Sequence, residues 1–353
     1  MNDFLLNYGL FIAKSITILL GILITLAFFI TIIFSRKKEK EENYLEIENI
    51  NEKLEELQDN LESEILSKSD YKKLQKLRKK EKKQEEKSKK KLFKQNPISD
   101  DRPRVFVVKF YGDLTASQIE NLREEITAIL TVANHKDEVL VLLESHGGVV
   151  HNYGLAAAQL QRIQQKNINL VIAVDLIAAS GGYMMACVAN KIIAAPFAII
   201  GSIGVLAQLP NFNKLLKKYD IDIEHHTSGE YKSTLTMLGK NTDKGRQKFI
   251  AELEDTHVLF KQFVKSNRPI IDLQKIATGE YWYGTQAIDL QLIDQISTSD
   301  NYLIEKCKDH DVFMVEYKIQ ESLKEKISNI LSKSMQFVLQ KVLQKASYKN
   351  MLV

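Results

Sequence analysis

Three short stretches of this 353-residue chain carry residue types that could do acyl-transfer chemistry. The first is Ala178-Ala179-Ser180-Gly181-Gly182-Tyr183, in which one hydroxyl stands between small residues at the end of an apolar run, Leu170 to Val174. Small flanks admit a peptide-like substrate, and the glycines permit a sharp turn whose amide N–H groups face outward. The second is Glu144-Ser145-His146-Gly147-Gly148, a glycine pair closing another apolar run. The third is Gly229-Glu230-Tyr231-Lys232, a lysine outside the lysine-rich part of the chain. Each has an ordinary explanation as well: Ser-Gly pairs make turns, and isolated lysines lie on surfaces.

A serine hydroxyl is hardly ionised near neutral pH, so a nucleophilic Ser180 needs a base within reach. The chain has seven histidines, and only His146, beside the glycine pair, stands near a chemically suggestive stretch. A lysine serves instead where burial or positive neighbours keep its amine neutral. On spacing alone, neither base is selected.

Taken together and in order, the three stretches resemble the signal peptide peptidase A family, peptidase family S49. Gly201-Ser202-Ile203-Gly204-Val205 and the ending Gly284, Ala287 and Leu292-Ile293-Asp294 fit the same pattern. The likeness runs from about Val105 to Ser297, and an N-terminal anchor followed by a charged helical region is similar to the SohB-type inner-membrane members. It implies an α/β fold of repeated β-β-α units, the ClpP/crotonase-like fold, and a serine-type endopeptidase working through an acyl-enzyme. By position, Ser180 would be the nucleophile and Lys232 the general base. The amides of Gly148 and Gly181 would form the oxyanion hole, Gly147 would shape its loop, and Ser202 would orient the lysine. The resemblance also implies no cofactor, peptide substrates such as signal-peptide remnants or membrane-protein fragments, and a homo-oligomer whose dyad lies within or between subunits. Two positions depart from the family pattern: His146 stands where proline is usual, and Gln291 where glycine is usual. A crotonase-type acyl-CoA enzyme or an inactive membrane scaffold on the same fold are the competing readings.

The elements that must position these residues are legible as patterns. Residues 104–300 alternate apolar strands with amphipathic helices, the mark of an α/β domain with largely parallel pairing. Strands are expected at Val105–Phe110, Glu138–Glu144, Leu170–Asp175 and Lys191–Ala195, with an edge strand at Ile221–Glu224. Helices are expected over Thr115–Ala133, from about Tyr153 to Gln165, and from Thr242 to about Ser266. The remaining segments, 301–353, read as a strand and an amphipathic helix.

Upstream, 1–14 is a short flank, and 15–35 is an uncharged apolar run closed by Arg36-Lys37-Lys38. Its length as a helix matches a bilayer's hydrocarbon core, about 30 Å, and it lacks the cleavage site of a signal peptide. A transmembrane anchor in the bacterial inner membrane is expected, making the lipid bilayer a partner. The basic cluster argues for a cytoplasmic catalytic side, whereas the family resemblance implies a periplasmic one. Residues 36–103 are dominated by Lys and Glu, with leucines at three- and four-residue steps from Leu54 to Leu77, and read as a charged helical or coiled-coil linker. The formal charge of +4 is drawn from this region and comes with no reader motif, which excludes nucleic-acid binding. The two cysteines, Cys187 and Cys307, build neither a disulfide framework nor a metal site.

Overall fold

The computed structural model of the chain describes residues 43–95 and 102–319, together with isolated positions at 14, 17, 18, 21 and 25. The chain divides into two units, Met1–Tyr44 with Lys318–Val353, and Leu45–Tyr317, and the site lies in the second. The anchor expected at 15–35 and the amphipathic C-terminal helix lie outside the described residues, apart from isolated positions. Among the described residues no helix is long and apolar enough to cross a membrane.

The centre of the second unit is a branched ten-stranded sheet. Strands β2 (Arg104–Gly112), β3 (Glu138–Ser145), β4 (Asn169–Val174) and β6 (Lys191–Ala194) run parallel, with β10 (Asp311–Lys318) added beside β2. Both faces of these strands are covered, so they read as nearly continuous apolar runs. Side-chain alternation still divides them. Phe106, Val108, Phe110, Val139, Val141 and Leu143 enter one cluster, whereas Val105, Val107, Leu140, Val171, Ile193 and Met314 enter a second. Helices α3 (Ile119–Val132) and α4 (Val150–Gln165) cover the first face, and α10 (Ser299–Lys306) contributes Leu303 to the second.

The sheet branches where β4 bends at Asp175. The carboxylate of Asp175 accepts the amide and hydroxyl of Ser299, fixing that bend. Beyond it, β5 (Ile177–Ala179) pairs with the end of β3 and with β7 (Ile199–Gly201), and β8 (Tyr281–Tyr283) closes this layer antiparallel to β7. Thus β4–β5–α5 (Gly181–Ala186) and β6–β7 repeat one design, a strand that bends into a second layer and ends in a turn. The sheet is mixed rather than wholly parallel, because β8 enters it as the terminal partner of β7.

Three expectations need correction. The charged segment is neither one helix nor only a linker. Its β1 (Tyr44–Asn49) lies beside β10, and α1 (Ile50–Ile65) and α2 (Lys68–Gln95) follow as separate helices in contact. Ser67 caps α2 and breaks the run, accepting the amide of Asp70 at 3.2 Å, while Arg78 reaches Asp59 and Glu62 at 3.0 and 2.8 Å. Asn51 ties this segment to the domain: its side chain donates to the carbonyls of Cys307 and His310 and accepts the amide of Val312 at 2.7 Å. Ile221–Glu224 is not a strand, because among the described residues none pairs with it, and Ile221 and Ile223 remain exposed. The helix expected from Thr115 begins instead at Ile119, because the Asp113 carboxylate accepts the amides of Thr115 and Ser117 and builds a turn first. The helix expected from Thr242 is α7 (Asp243–Asn267), whose N-cap is the Thr242 hydroxyl.

Candidate active site

Ser180 sits at the strand-to-helix corner between β5 and α5, with φ 52° and ψ −117°. That conformation is strained for any residue with a Cβ and costs about 1–3 kcal/mol. Two hydrogen bonds hold it: its amide donates to the carbonyl of Gly201 at 2.8 Å, and its carbonyl accepts the amide of Met184 at 2.9 Å. A strained serine at such a corner presents its hydroxyl instead of turning it back into the helix. Ser180 is half-buried, its side chain makes no capping bond, and among the described residues its Oγ has no hydrogen-bond partner.

The glycine pair after β3 comes directly against this corner. Gly147 has φ 83°, and a Cβ there would stand 2.6 Å from the amide nitrogen of Gly181 and 2.8 Å from Cβ of Ser180. No side chain fits at this position. Gly148 is pressed onto the carbonyl of Leu114, which also accepts the amide of Val149 at 2.9 Å. The Gly147 amide is occupied by Ser145 Oγ at 3.0 Å. The amides of Gly148 and Gly181 have no acceptor among the described residues, and Gly181 opens a helix, where N–H groups lack intrahelical partners. Ser180, Gly147, Gly148 and Gly181 are therefore gathered in one place.

Ser202 joins them through the sheet. Ala179 is in register with Gly201, so Ser180 and Ser202 leave paired parallel strands side by side, both with φ 52°. The Ser202 amide donates to the carbonyl of Glu280 at 2.8 Å, and the Trp282 ring covers the space a Cβ at Gly201 would take.

Lys232 makes no hydrogen bond to this group among the described residues. It follows Gly229 in an exposed turn, where its amide donates to the Gly229 carbonyl at 3.2 Å. Among the described residues its amine makes no hydrogen bond or ion pair, and none links it to Ser180. The neighbouring Glu230 is taken by Lys244, whose ammonium holds the carboxyl below its ordinary range. Residues 205–241 around Lys232 bury only Gly239, and they expose Leu206, Phe212, Leu215, Tyr219, Ile221 and Tyr231.

Sequence reasoning missed two contributors, Ser145 as a partner of the Gly147 amide and Tyr153 on α4, which lies fully buried against the Ser180 corner. The one available signal was an aromatic residue on the inner face of the helix that follows the glycine pair. His146, the histidine next to that pair, is exposed. Among the described residues no group of three or more His, Cys, Asp or Glu side chains assembles that could hold a metal.

Comparison with known proteins covers nearly the whole chain. Residues 3–160 match Peptidase family S49 N-terminal, and residues 162–312 match Peptidase family S49. A relative from Haemophilus influenzae named "Probable protease SohB" is 53% identical over 328 residues, 92% of each chain. A relative of the same name from Buchnera aphidicola subsp. Schizaphis graminum is 48% identical over 354 residues, 99% of this chain and all of its own. A solved structure of a 1510-N membrane-bound stomatin-specific protease mutant with a substrate peptide overlaps 66% of this chain and 99% of its own. Its TM-score is 0.37 at 17% identity, too distant to bear on the site.

Proposed function

The chain belongs to peptidase family S49, with SohB-type relatives, and on that premise we propose that it is a membrane-anchored serine endopeptidase using a Ser180–Lys232 dyad. One observation carries the reading: a strained, unpartnered Ser180 abuts Gly147, and the next residue after each, Gly181 and Gly148, has an amide without an acceptor among the described residues.

In this mechanism Ser180 Oγ attacks the carbonyl carbon of the scissile peptide while the neutral amine of Lys232 takes the hydroxyl proton. The carbonyl oxygen becomes an oxyanion and accepts the N–H groups of Gly148 and Gly181, donors fixed before the charge develops. Collapse expels the amine product, which takes the proton back from the lysine ammonium, and leaves an ester on Ser180. Water then attacks the ester, one of its protons passes by way of Lys232 to Ser180 Oγ as the acyl–oxygen bond breaks, and the product leaves as a carboxylic acid that loses its remaining proton to solvent. Ser202, adjacent to Ser180, orients the lysine amine.

Lys232 reaches Ser180 through assembly in this account. The support is the exposure of the Lys232 turn together with the exposed apolar side chains in the residues around it. A second copy of the chain covers that stretch and completes the dyad. The apolar segment 15–35 anchors the enzyme in the bacterial inner membrane, close to substrates such as signal-peptide remnants and membrane-protein fragments. Protease protection on spheroplasts identifies which face carries the catalytic unit.

The test is peptide hydrolysis by the purified full-length oligomer. Ser180→Ala and Lys232→Ala each lower kcat by at least about 10³-fold, leaving the residual rate that binding and the oxyanion hole support. Wild-type rates in either variant would refute the dyad.

A further inference from the structure

We infer that Tyr153 and Ser145 form a hydroxyl relay that sets the oxyanion loop, making Tyr153 a positioning residue for the reaction. The inference rests on the oxyanion hole proposed above and adds a group outside it. The relay runs in one direction. The Gly147 amide donates to Ser145 Oγ at 3.0 Å, Ser145 Oγ–H donates to Tyr153 Oη at 2.6 Å, and Tyr153 Oη–H donates to the carbonyl of Asp113 at 2.7 Å. This direction pairs both ends, an N–H that only donates and a carbonyl that only accepts, and it gives the Ser145 hydrogen to Tyr153 Oη at 2.6 Å rather than to its other acceptor, the Gly112 carbonyl, at 3.4 Å. Both hydroxyls thereby donate and accept, and both residues are buried, Tyr153 at 0% and Ser145 at 1% exposure. The Tyr153 hydroxyl is held protonated, since burial pushes its pKa up.

Two consequences make this more than packing. Fixing the Gly147 amide inward at φ 83° determines how the next peptide is presented, and that peptide carries the free N–H of Gly148. The ring of Tyr153 also lies against the other donor, since a Cβ at Gly181 would stand 2.8 Å from Cδ2 and 2.9 Å from Cβ of Tyr153. One buried tyrosine thus touches Gly181 with its ring and governs the Gly148 peptide through its hydroxyl. The far end of the relay is itself held, because the Asp113 carboxylate accepts the amides of Thr115 and Ser117 at 3.0 and 2.9 Å.

Donors displaced by a few tenths of an ångström weaken the transition state more than the bound substrate. Tyr153→Phe, which keeps the ring and removes the hydroxyl, is therefore expected to lower kcat about 10- to 100-fold with KM nearly unchanged. Ser145→Ala should do the same, and the double variant should lose no more than the worse single one, because either change cuts the same relay. A peptide aldehyde inhibitor, which forms the oxyanion on Ser180, should lose affinity in parallel with kcat. Full additivity, a loss confined to KM, or unchanged kcat in folded Tyr153→Phe overturns the relay. If Tyr153→Phe does not fold, the kcat and KM of Ser145→Ala decide by the same criteria. Ser180→Ala separates the two levels: if it is inactive while Tyr153→Phe is normal, the peptidase stands and the relay falls, whereas an active Ser180→Ala removes the peptidase reading itself.

Discussion

Ser180 and Gln291 both hold left-handed backbone, at φ 52° and 60°, for different reasons. At Ser180 the strain is maintained by the Gly201 and Met184 hydrogen bonds and serves to aim the hydroxyl. At Gln291 it follows from a tight turn whose carbonyl accepts Arg268 at 2.8 Å, and the exposed side chain contributes little in return. This is the position where the family pattern has glycine. Relief of left-handed strain, about 1–2 kcal/mol, outweighs glycine's extra entropy in the unfolded chain, about 0.5–1 kcal/mol. Gln291→Gly should therefore stabilise the protein by roughly 0.5–1 kcal/mol, and a lowered midpoint in thermal unfolding would show that the turn is not strained. The sequence was informative here in proportion to how local the physics is. Ser180 and the Gly147-Gly148 pair announce themselves because small residues stand together at the ends of apolar runs. Ser145 and Tyr153 do not, because their bond joins a strand end to a helix face eight residues on and depends on how α4 docks.

Among the elements, the buried strands β2, β3, β4 and β6 were legible as apolar runs, and α7 announced its start through Thr242. The short strands β5, β7 and β8 could not be read, since three residues carry no periodicity and exist only by pairing. Nor was the place of β1 and α1 legible, because heavily charged residues surround Ile50 and Asn51, which tie the segment to the domain. The closing turn, by contrast, shows why its final aspartate is needed. Asp294 grips Arg268, at the end of α7, through two bonds of 3.1 and 2.9 Å, and accepts the amide of Ile192 at 2.7 Å. Arg268 is 6% exposed, and burial alone would lower its pKa, but the aspartate holds it charged. Asp294→Ala leaves that guanidinium buried without its counter-charge. The expected cost is about 2–3 kcal/mol, below the full value for a wholly buried pair because Asp294 is about one-third exposed. Chemical denaturation measures it, and a change under about 0.5 kcal/mol would mean that Asp294 contributes little to holding α7.

At the scale of the whole molecule, no hydrogen bond among the described residues joins the parts of the proposed site: Ser180 stands at the β5–α5 corner against the glycine pair that follows β3, and Lys232 lies in an exposed turn of the same unit. Completion by a neighbouring copy makes a definite prediction. Ser180→Ala and Lys232→Ala protein, each inactive, should regain a substantial fraction of wild-type activity when co-assembled, because mixed interfaces pair an intact serine with an intact lysine. Failure to complement in demonstrably mixed oligomers would place the dyad within one chain. The motif order made the family legible in the sequence, but the spacing of the motifs could not say whether one copy or two would build the proposed dyad. That depends on which surfaces meet, and residues 205–241 give only their exposed apolar content as a signal. The central claim, that Ser180 is the nucleophile, is tested most directly by treating the active full-length protein with a fluorophosphonate and locating the adduct by peptide mass spectrometry. The account predicts a single phosphonylated residue, Ser180, with hydrolysis lost in step with labelling. Complete inactivation with the adduct on another residue, or full hydrolysis by Ser180→Ala, would contradict it.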